Sequence, residues 1–529
     1  MTLTLPPRTP TPADPDSPRE DYVSNLEQLA LEAESRAAAR QHPLGKLTAR
    51  ERLNELLDPL SFQEIGQFAG GNVGNNFQGA AVVTGHGTVN GRRVAVYAQD
   101  FSVRGGTLGR AEGDKILHLI DIALEMRIPI IALLDSGGAR IQEGVVALTQ
   151  YGRIFRKTCE ASGIVPQLSI ILGPCAGGAV YSPALTDFII MTRDNSHMFV
   201  TGPDVVKAVT GEDVSFEELG GAELHNFQSG VAHYLADSET DALEYARAIL
   251  SYLPSHSGER PPSYAYEPVA QDLVNAAELD EIVPSSSRQP YDMVEVIQKL
   301  VDHGEFVEVQ EMFARNIVVG LACINGEPVG MVANQPLFDA GTLDVDASEK
   351  ASRFVRFCDA FGIPIVTLVD VPGYRPGTEQ EQAGIIRRGA KMIFAYGNAT
   401  VPMVTVVLRK AYGGAYIVMG SKSLGADINF AWPGAEVAVM GADGAVSIMH
   451  RRKLNAAAEA GEDVEELRAE LVAQYTEESI NPNLSVAEGE FDGIIAPAQT
   501  RQALVDSLAL LASKDAKFVG DKRHDNGPL

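Results

Sequence analysis

Glycines follow two strongly apolar runs of the sequence, in a pattern that could build anion-binding turns. Gln167–Leu172 leads into a segment ending at Gly177-Gly178, and Met403–Leu408 leads into Gly413-Gly414 and Ala415. Glycine lets the backbone approach a ligand closely, and N–H groups at the start of a helix point outward with the positive end of its dipole. Each turn could therefore be an oxyanion hole, which stabilises a carbonyl oxygen that becomes negative in a transition state. The predicted holes are formed by Gly177 with Gly178 and by Gly414 with Ala415.

The motifs of common enzyme classes are absent from the sequence. It has no GxxxxGK[ST], no GxGxxG at a strand end, no GxSxG nucleophile elbow and no HExxH metal motif. The ten histidines are scattered and the four cysteines include no CxxC pair, so we expect neither a metal site nor a disulfide framework. The sequence therefore shows few of the features expected of an ordinary acid–base or covalent enzyme. The glycine turns are the remaining candidates for a catalytic site.

The sequence repeats itself at an offset of 235 (341 − 106) to 236 (413 − 177) residues. The matching residues include Gly106-Thr107-Leu108 with Gly341-Thr342-Leu343, Lys115 with Lys350, Asp135 with Asp370, and Gly177-Gly178 with Gly413-Gly414. Such self-similarity predicts two halves of about 235 residues with the same fold. One glycine turn is more often a packing requirement, but two at equivalent places indicate a reaction with two stabilised oxyanions.

The apolar pattern predicts alternating strands and helices that position these turns. Helices are indicated at Arg110–Glu125, Gly144–Ala161, Asp346–Phe361 and Glu381–Tyr396, and buried strands at Pro129–Leu134 and Pro364–Val369. We therefore expect an α/β fold in which apolar strands are covered on both faces. The predicted divisions are a disordered tail (1–20), a first domain (21–275), a second domain (276–515) and a C-terminal tail (516–529). Ser255–Pro290 would link the halves, and the acidic segment Leu454–Ile480 would be a solvated helix.

Charge and composition exclude several classes of partner. The chain has 529 residues with 43 Lys+Arg and 70 Asp+Glu, a net charge of −27. This acidic balance argues against binding of nucleic acid or of an anionic membrane surface. No apolar run could span a bilayer, and the N-terminus lacks the apolar core of a signal peptide, so we expect a cytoplasmic protein.

Several of these segments carry a family resemblance. They are Gly45–Leu57 (GKLTARERLNELL), Gly105–Gly109 (GGTLG), Asp135–Gly144 (DSGGARIQEG), Gly173–Pro183 (GPCAGGAVYSP), Asp370–Gly377 (DVPGYRPG) and Ala411–Tyr416 (AYGGAY). They resemble the carboxyltransferase β subunits of biotin-dependent acyl-CoA carboxylases. The resemblance implies two tandem crotonase-like (ClpP/crotonase) domains, the first on the acyl-CoA side and the second on the biotin side, which agrees with the internal duplication.

The resemblance also implies a reaction, the transfer of a carboxyl group from carboxybiotin to the α-carbon of acetyl-CoA or propionyl-CoA. The products would be malonyl-CoA or methylmalonyl-CoA. If carboxybiotin first loses CO2, the biotin ureido anion can take the α-proton and the thioester enolate can attack CO2. The protein then needs two anion sites and no side-chain base. In the family the first turn holds the thioester carbonyl, a role that the resemblance gives here to Gly177 and Gly178. The second turn holds the biotin carbonyl, a role that it gives to Gly414 and Ala415.

Further site residues follow from the resemblance. Substrate-binding residues would be Gly137, Gly138, Ala139, Arg140 and Ile417, and biotin-binding residues would be Gly413, Gly414, Ala415 and Tyr416. Arg140 could bind CoA phosphates or could pair with Glu143. Ile417 occupies a position linked to acyl-chain choice, and an apolar residue is compatible with acetyl or propionyl groups; alternatively it is only a core residue. Cys175 is expected to be a packed small residue rather than a nucleophile.

Two absences define the expected partners. Ala390-Lys391-Met392 lacks the first Met of a Met-Lys-Met biotinylation loop, and no ATP-binding domain is evident. Biotin should therefore be carried by a separate α subunit with biotin carboxylase and carrier functions. The family further implies a homohexamer whose active sites join the first domain of one subunit to the second domain of another, and a small accessory subunit is possible. No metal is expected in this chain.

Three alternatives remain open from the sequence. The first is the carboxyltransferase subunit of a biotin-dependent sodium-pumping decarboxylase, which runs the same chemistry in reverse. The second is a non-catalytic scaffold that binds CoA esters, against which two intact glycine turns argue. The third is a crotonase-type hydratase, for which the expected pair of glutamates is not evident.

Overall fold

A computed structural model describes residues 18–70, 79–480, 482–515 and 526–528 of the chain. The predicted disordered tail lies outside the described residues up to residue 17, and residues 18–20 begin the first helix. Most of the predicted C-terminal tail, residues 516–525 and 529, is likewise outside them. In the described part of the chain, no helix has both the length and the apolar composition needed to cross a lipid bilayer.

The first half is built on one eight-stranded sheet. Its strands are β1 (Gln63–Ile65), β2 (Val82–Val89), β3 (Arg92–Gln99), β4 (Ile130–Ser136), β5 (Gln167–Ala176), β6 (Phe188–Thr192), β7 (His197–Phe199) and β8 (Tyr234–Ala236). Its helices are α1 (Pro18–Gln41), α2 (Ala49–Leu56), α3 (Arg110–Met126), α4 (Val145–Ala161), α5 (Tyr181–Ala184), α6 (Pro203–Thr210), α7 (Phe216–Gly220), α8 (Ala222–Phe227) and α9 (Glu239–Tyr252). The strand order is β1-β2-β3-β4-β5-β6-β8, with β7 beside β5.

The second half repeats this plan. Its strands are β9 (Phe306–Val309), β10 (Ile317–Ile324), β11 (Glu327–Asn334), β12 (Ile365–Val371), β13 (Met403–Tyr412), β14 (Ile428–Ala431), β15 (Glu436–Ala438) and β16 (Gly493–Ile494). Its helices are α10 (Ala270–Ile282), α11 (Met293–Leu300), α12 (Val345–Ala360), α13 (Thr378–Gln382), α14 (Ile385–Asn398), α15 (Gly413–Val418), α16 (Ala442–Met449), α17 (Arg451–Ala460), α18 (Val464–Ser479), α19 (Pro482–Ala487) and α20 (Thr500–Leu511). The strand order is β9-β10-β11-β12-β13-β14-β16, with β15 beside β13.

The duplication predicted from the sequence extends to pairing register. In both sheets the first three strands are antiparallel and the others parallel. The ladder between β4 and β5 shifts register after Leu134, and that between β12 and β13 shifts after Val369, an offset of 235 (369 − 134). Because this irregularity lies just before the glycine turns, both halves deliver their turns in the same way.

The central strands are buried because helices cover both faces of each sheet, as the continuous apolar runs predict. Every residue of β4 and of β12 is buried. One cluster of buried apolar residues continues from the first half into the second and includes Leu133, Phe188, Ile317 and Phe354. The ring of Phe188 also meets that of Phe357 edge-on, with centroids 4.8 Å apart. The two halves therefore share a core.

Three predicted segments differ from the structure. The single helix expected over Glu381–Tyr396 is two helices, α13 and α14, because Gly384 adopts a left-handed φ of 86° between them. The acidic helix expected over Leu454–Ile480 is likewise interrupted, at Gly461 with φ 73°. The segment expected to link the halves contains α10, and the predicted domain division at residues 275 and 276 falls inside this helix.

Candidate active site

Each predicted turn lies where a parallel strand passes into a helix. β5 ends at Ala176, and Gly177 begins a short 3₁₀ helix. β13 ends at Tyr412, and Gly413 begins α15. Gly177 has a φ of 62° and Gly413 a φ of 60°, values that strain any residue with a side chain. The first N–H groups of a helix have no intrahelical acceptor, so both turns can offer donors to a ligand.

The backbone geometry defines which turn residues correspond. Gly177 matches Gly413 at an offset of 236 (413 − 177), so Gly178 matches Gly414. Ala415, which is 1% exposed, then matches Ala179, which is 5% exposed. The predicted holes are therefore staggered by one residue between the halves, and Ala179 is a turn residue that the sequence reasoning missed although the offset could have indicated it.

The loop after β4 lies against the first turn. Ser136 pairs with Cys175 across the two strands. The Ser136 hydroxyl accepts a hydrogen bond of 3.1 Å from the N–H of Gly138. A methyl group placed on Gly138 would lie 2.7 Å from the carbonyl oxygen of Ala176, so only glycine allows this approach. The structure therefore brings the predicted substrate loop, with Gly137, Gly138 and Ala139, beside Gly177 and Gly178.

Arg140 is already occupied by acidic partners. Its Nη1 donates to Glu143 and its Nη2 to Glu112, each at 2.7 Å, and Nη2 also donates to the carbonyl of Thr107 at 2.7 Å. Burial lowers the pKa of this guanidinium, but the hydrogen bonds to Glu112 and Glu143 outweigh it and raise the pKa. Of the two roles open from the sequence, the pairing with Glu143 is present.

The second turn is less closely packed by side chains than the first. A methyl group placed on Gly414 would meet no atom within 4 Å, so this residue borders open space. Tyr416 is 8% exposed, whereas Ile417 is 45% exposed, which excludes a purely internal role for Ile417. The Tyr412 hydroxyl donates to the Glu436 carboxylate on β15 and so holds the residue before Gly413. This contact was not predicted, because nothing local in the sequence links the two residues.

The titratable side chains packed on the first turn are held protonated. Burial, reinforced by the charge of Asp135, raises the pKa of Cys175 to about 12, so the thiol is neutral and is not a nucleophile. Burial also raises the pKa of Tyr151, whose ring would lie 3.3 Å from a methyl group placed on Gly178. Neither side chain therefore offers an ionised group at this turn. Within the described residues, no group of three metal-ligating side chains occurs.

Two buried ion clusters beneath the turns were also missed. Asp135 on β4 contacts Lys46 and Arg52, and Asp370 on β12 contacts Arg409 and Lys410. The recurrence of the two aspartates at offset 235 was visible in the sequence. Their cationic partners were not, since Lys46 lies 89 residues from Asp135.

Comparison with known proteins decides the family. Residues 40–526 match the Carboxyl transferase domain. The chain belongs to the carboxyl transferase family. A propionyl-CoA carboxylase beta chain from Saccharopolyspora erythraea is 56% identical, over 96% of this chain and 95% of its own length. A methylmalonyl-CoA decarboxylase subunit alpha from Veillonella parvula is 49% identical, over 93% of this chain and 94% of its own.

A solved structure resembles this carboxyl transferase along its length. It is transcarboxylase 12S, described as a hexamer with methylmalonyl-CoA and methylmalonic acid bound. The two superpose with a TM-score of 0.90 at 45% identity, covering 97% of this chain and 100% of that one. The predicted family, the pair of crotonase-like domains and the enzyme class are confirmed. This carboxyl transferase is an enzyme of the biotin-dependent acyl-CoA carboxylase type and transfers a carboxyl group to an acyl-CoA.

Proposed function

We propose that this carboxyl transferase carboxylates a short-chain acyl-CoA, propionyl-CoA or acetyl-CoA, to give methylmalonyl-CoA or malonyl-CoA. The observation that carries the proposal is the pair of equivalent turns at Gly177-Gly178 and Gly413-Gly414, each at the carboxyl end of a buried strand. The relative from Saccharopolyspora erythraea, named for propionyl-CoA, favours propionyl-CoA as the first substrate to test.

The two turns would divide the work of the reaction. N–H groups of Gly177 and Gly178 would bind the thioester oxygen and stabilise the negative charge that it gains as the α-proton leaves. N–H groups of Gly414 and Ala415 would hold the carbonyl oxygen of the biotin ring, for which the open space beside Gly414 leaves room. Carboxybiotin, when bound, supplies the carboxyl group and the base for the α-proton. The protein would contribute donors, orientation and exclusion of water.

Biotin would be carried by a separate α subunit with biotin carboxylase and carrier functions. Lys391 supports this proposal, since it lies within α14 and not on a loop, and its Nζ donates to the Glu349 carboxylate of α12 at 2.7 and 2.9 Å. A small accessory subunit and a cytoplasmic location belong to the same proposal.

The active unit would be a homohexamer in which the first half of one chain faces the second half of another. Exposed apolar side chains beside both turns support this arrangement. Ile141 and Val145, which follow the substrate loop, are 87% and 72% exposed, and Val439, whose carbonyl lies beside Gly413, is 82% exposed. Such side chains are expected to be covered by another protein surface.

The decisive experiment is a reconstituted assay with a biotinylated α partner, ATP, bicarbonate and acetyl-, propionyl- or butyryl-CoA. Gly178→Val, which forces a side chain onto Tyr151, and Ala415→Pro, which removes a turn N–H, should each lower kcat about 100-fold or more with the oligomer intact. Gly152→Val on α4 is the matched control, because a methyl group there meets no atom within 4 Å.

Three outcomes would contradict the proposal. Failure of the wild type with all three acyl-CoA substrates would remove the substrate assignment. Unchanged activity in both turn variants would favour the scaffold alternative. Decarboxylation of methylmalonyl-CoA that depends on sodium and on a membrane fraction would favour the decarboxylase alternative. The 49% identity to the decarboxylase subunit from Veillonella parvula is the reason to test it.

A further inference from the structure

Two aspartates occupy equivalent buried positions beneath the turns. Asp135 lies in β4 and Asp370 in β12, 235 residues apart (370 − 135), and both are 0% exposed. A buried carboxylate is tolerated only when it is paired and hydrogen-bonded. The two halves meet this requirement with cations from different parts of the chain.

In the second half the cations come from the strand that carries the turn. Arg409 Nε donates to Asp370 Oδ2 at 2.8 Å, and Lys410 Nζ lies 3.3 Å from Oδ1. The backbone N–H of Lys410 also donates to Oδ1, at 3.2 Å. Both residues belong to β13, which ends at Tyr412, so the second sheet supplies both cations. Arg409 Nη1 and Lys410 Nζ also donate to backbone carbonyls of residues 284–289, outside the sheet.

In the first half the matching positions on β5 are Gly173 and Pro174, at offset 236 (409 − 173), and neither carries charge. A methyl group placed on Gly173 would overlap the Asp135 carboxylate and lie 2.7 Å from Lys46 Nζ, so the strand leaves room for an incoming side chain. Lys46 Nζ donates to Asp135 Oδ2, and Arg52 Nη1 donates to the same oxygen at 3.0 Å. These cations come from the segment that begins α2.

The second carboxylate oxygen of Asp135 differs from the first in its hydrogen bonding. Oδ1 is buried and has no hydrogen-bond partner among the described residues. Pro174 explains this, because proline has no N–H to give the bond that Lys410 gives to Asp370. Arg52 is fixed in turn by Glu239, at 2.6 and 2.8 Å, and by the carbonyl of Leu172 at 3.1 Å. The end of β4 therefore depends on Lys46 and Arg52.

We propose that Lys46 and Arg52 are positioning residues for the first turn. They act through Asp135, whose neighbour Ser136 pairs with Cys175 and holds the N–H of Gly138. The second aspartate differs because its cations, Arg409 and Lys410, come from the strand that carries the second turn. Its kinetic consequences rest on the proposed function. A change at Lys46 or Arg52 should weaken binding of the acyl-CoA at the first turn and leave binding of biotin at the second turn unchanged.

The kinetic test uses the full chain assembled with its α partner. Lys46→Met should raise KM for the acyl-CoA about 10-fold and leave KM for the carboxylated carrier within about twofold, while Lys410→Met should do the opposite. Lys46→Arg should restore values near the wild type because it retains the charge. Lys514→Met, which breaks the 2.7 Å pair with Asp427 away from both turns, is the matched control and should change neither KM.

A rescue and a measurement without turnover complete the test. Pro174→Ala restores an N–H near Asp135 Oδ1, so Lys46→Met/Pro174→Ala should recover part of the lost acyl-CoA affinity. In hydrogen exchange, Lys46→Met should speed exchange of the amides at 176–180 and leave those at 412–416 unchanged. If Lys46→Met does not assemble, Lys46→Gln can replace it, because glutamine keeps a hydrogen-bond donor without the charge. It should change KM for the acyl-CoA and amide exchange at 176–180 in the same direction but by smaller amounts.

Equal effects of Lys46→Met on both KM values, or on exchange in both turns, would overturn the proposal. So would the same pattern in Lys514→Met. A wild type that carboxylates none of the acyl-CoA substrates would refute the proposed function alone, since the exchange measurement would still show whether Lys46 supports the first turn.

Discussion

Ile417 stands where the second turn meets solvent. It follows Ala415 and Tyr416, which are 1% and 8% exposed, whereas Ile417 itself is 45% exposed. Successive side chains of a helix diverge by about 100°, so α15 can bury two of these residues and present the third. At the scale of single residues, Ile417 is therefore exposed beside the second turn, where, in the proposed arrangement, it would face the acyl group of a substrate held by the first half of another chain.

Replacing Ile417 by Asp should lower the preference for acetyl-CoA relative to propionyl- and butyryl-CoA, because a carboxylate changes the polarity of the acyl pocket. The ratio of kcat/KM among the three substrates measures this effect. Ile164→Asp is the control, since Ile164 is 42% exposed but precedes β5 at the opposite end of the strand from the turn. An unchanged ratio in Ile417→Asp would show that Ile417 does not contact the acyl group.

Helices and strands are fixed to each other by a buried lysine in each half. Lys115 on α3 donates to the carbonyl of Val82 at the start of β2, at 2.7 Å. Lys350 on α12 donates to the carbonyl of Ile317 at the start of β10, at 2.8 Å, and the offset of both residues is 235 (350 − 115 and 317 − 82). Burial lowers the pKa of each lysine to about 8. At the scale of elements, each half therefore has a desolvated lysine amine whose hydrogen bond joins a helix to its sheet.

The stability of the wild type relative to Lys115→Met should rise with pH between about 8 and 10. In this window the unfolded lysine still binds a proton that the folded one has lost, so each pH unit favours the folded wild type by up to about 1.4 kcal/mol. Denaturant unfolding of both proteins at several pH values measures the difference. Lys157→Met on the surface of α4 is the control, because hydrogen bonds to Asp121 and Glu160 raise the pKa of Lys157. Parallel curves for Lys115→Met would show that this amine is not desolvated.

The whole molecule places its two turns on two different sheets that share one core. Arg353 on α12 strengthens the joint by donating to the carbonyls of Thr186 and Asp187 in the first half, at 2.7 and 3.1 Å. A chain built in this way holds its two glycine turns in fixed relation. Whether a site uses both turns of one chain or one turn from each of two chains is a question of assembly.

Mixed oligomers of Gly178→Val and Ala415→Pro chains should regain activity if each site joins the first half of one chain to the second half of another. In a random equal mixture, about a quarter of the sites would then combine two intact turns. Co-expression with different affinity tags, purification of the mixed species and the carboxylation assay would measure this. Mixtures as inactive as the separate variants would place both turns of a site in one chain.

Much of this protein could be predicted from its sequence, because the relevant signals are local or periodic. The 235-residue repeat determined the duplication, and apolar runs ending in glycine located the turns, since Gly177 and Gly413 need a left-handed φ that other residues avoid. The long-range contacts could not be predicted. The partners of Asp135 lie at Lys46 and Arg52, and Arg140 is bound by Glu112 as well as by its neighbour Glu143.

The physical reason is that charge pairing in a core is decided by which side chains the fold brings together. Asp135 and Asp370 look alike in the sequence, yet Gly173 and Pro174 leave the first aspartate to cations at Lys46 and Arg52, far away along the chain, while the second is paired with cations of its own sheet. The sequence by itself determined two similar domains, each with a glycine turn at the end of a buried strand. Only the tertiary structure decided which side chains hold each site in place.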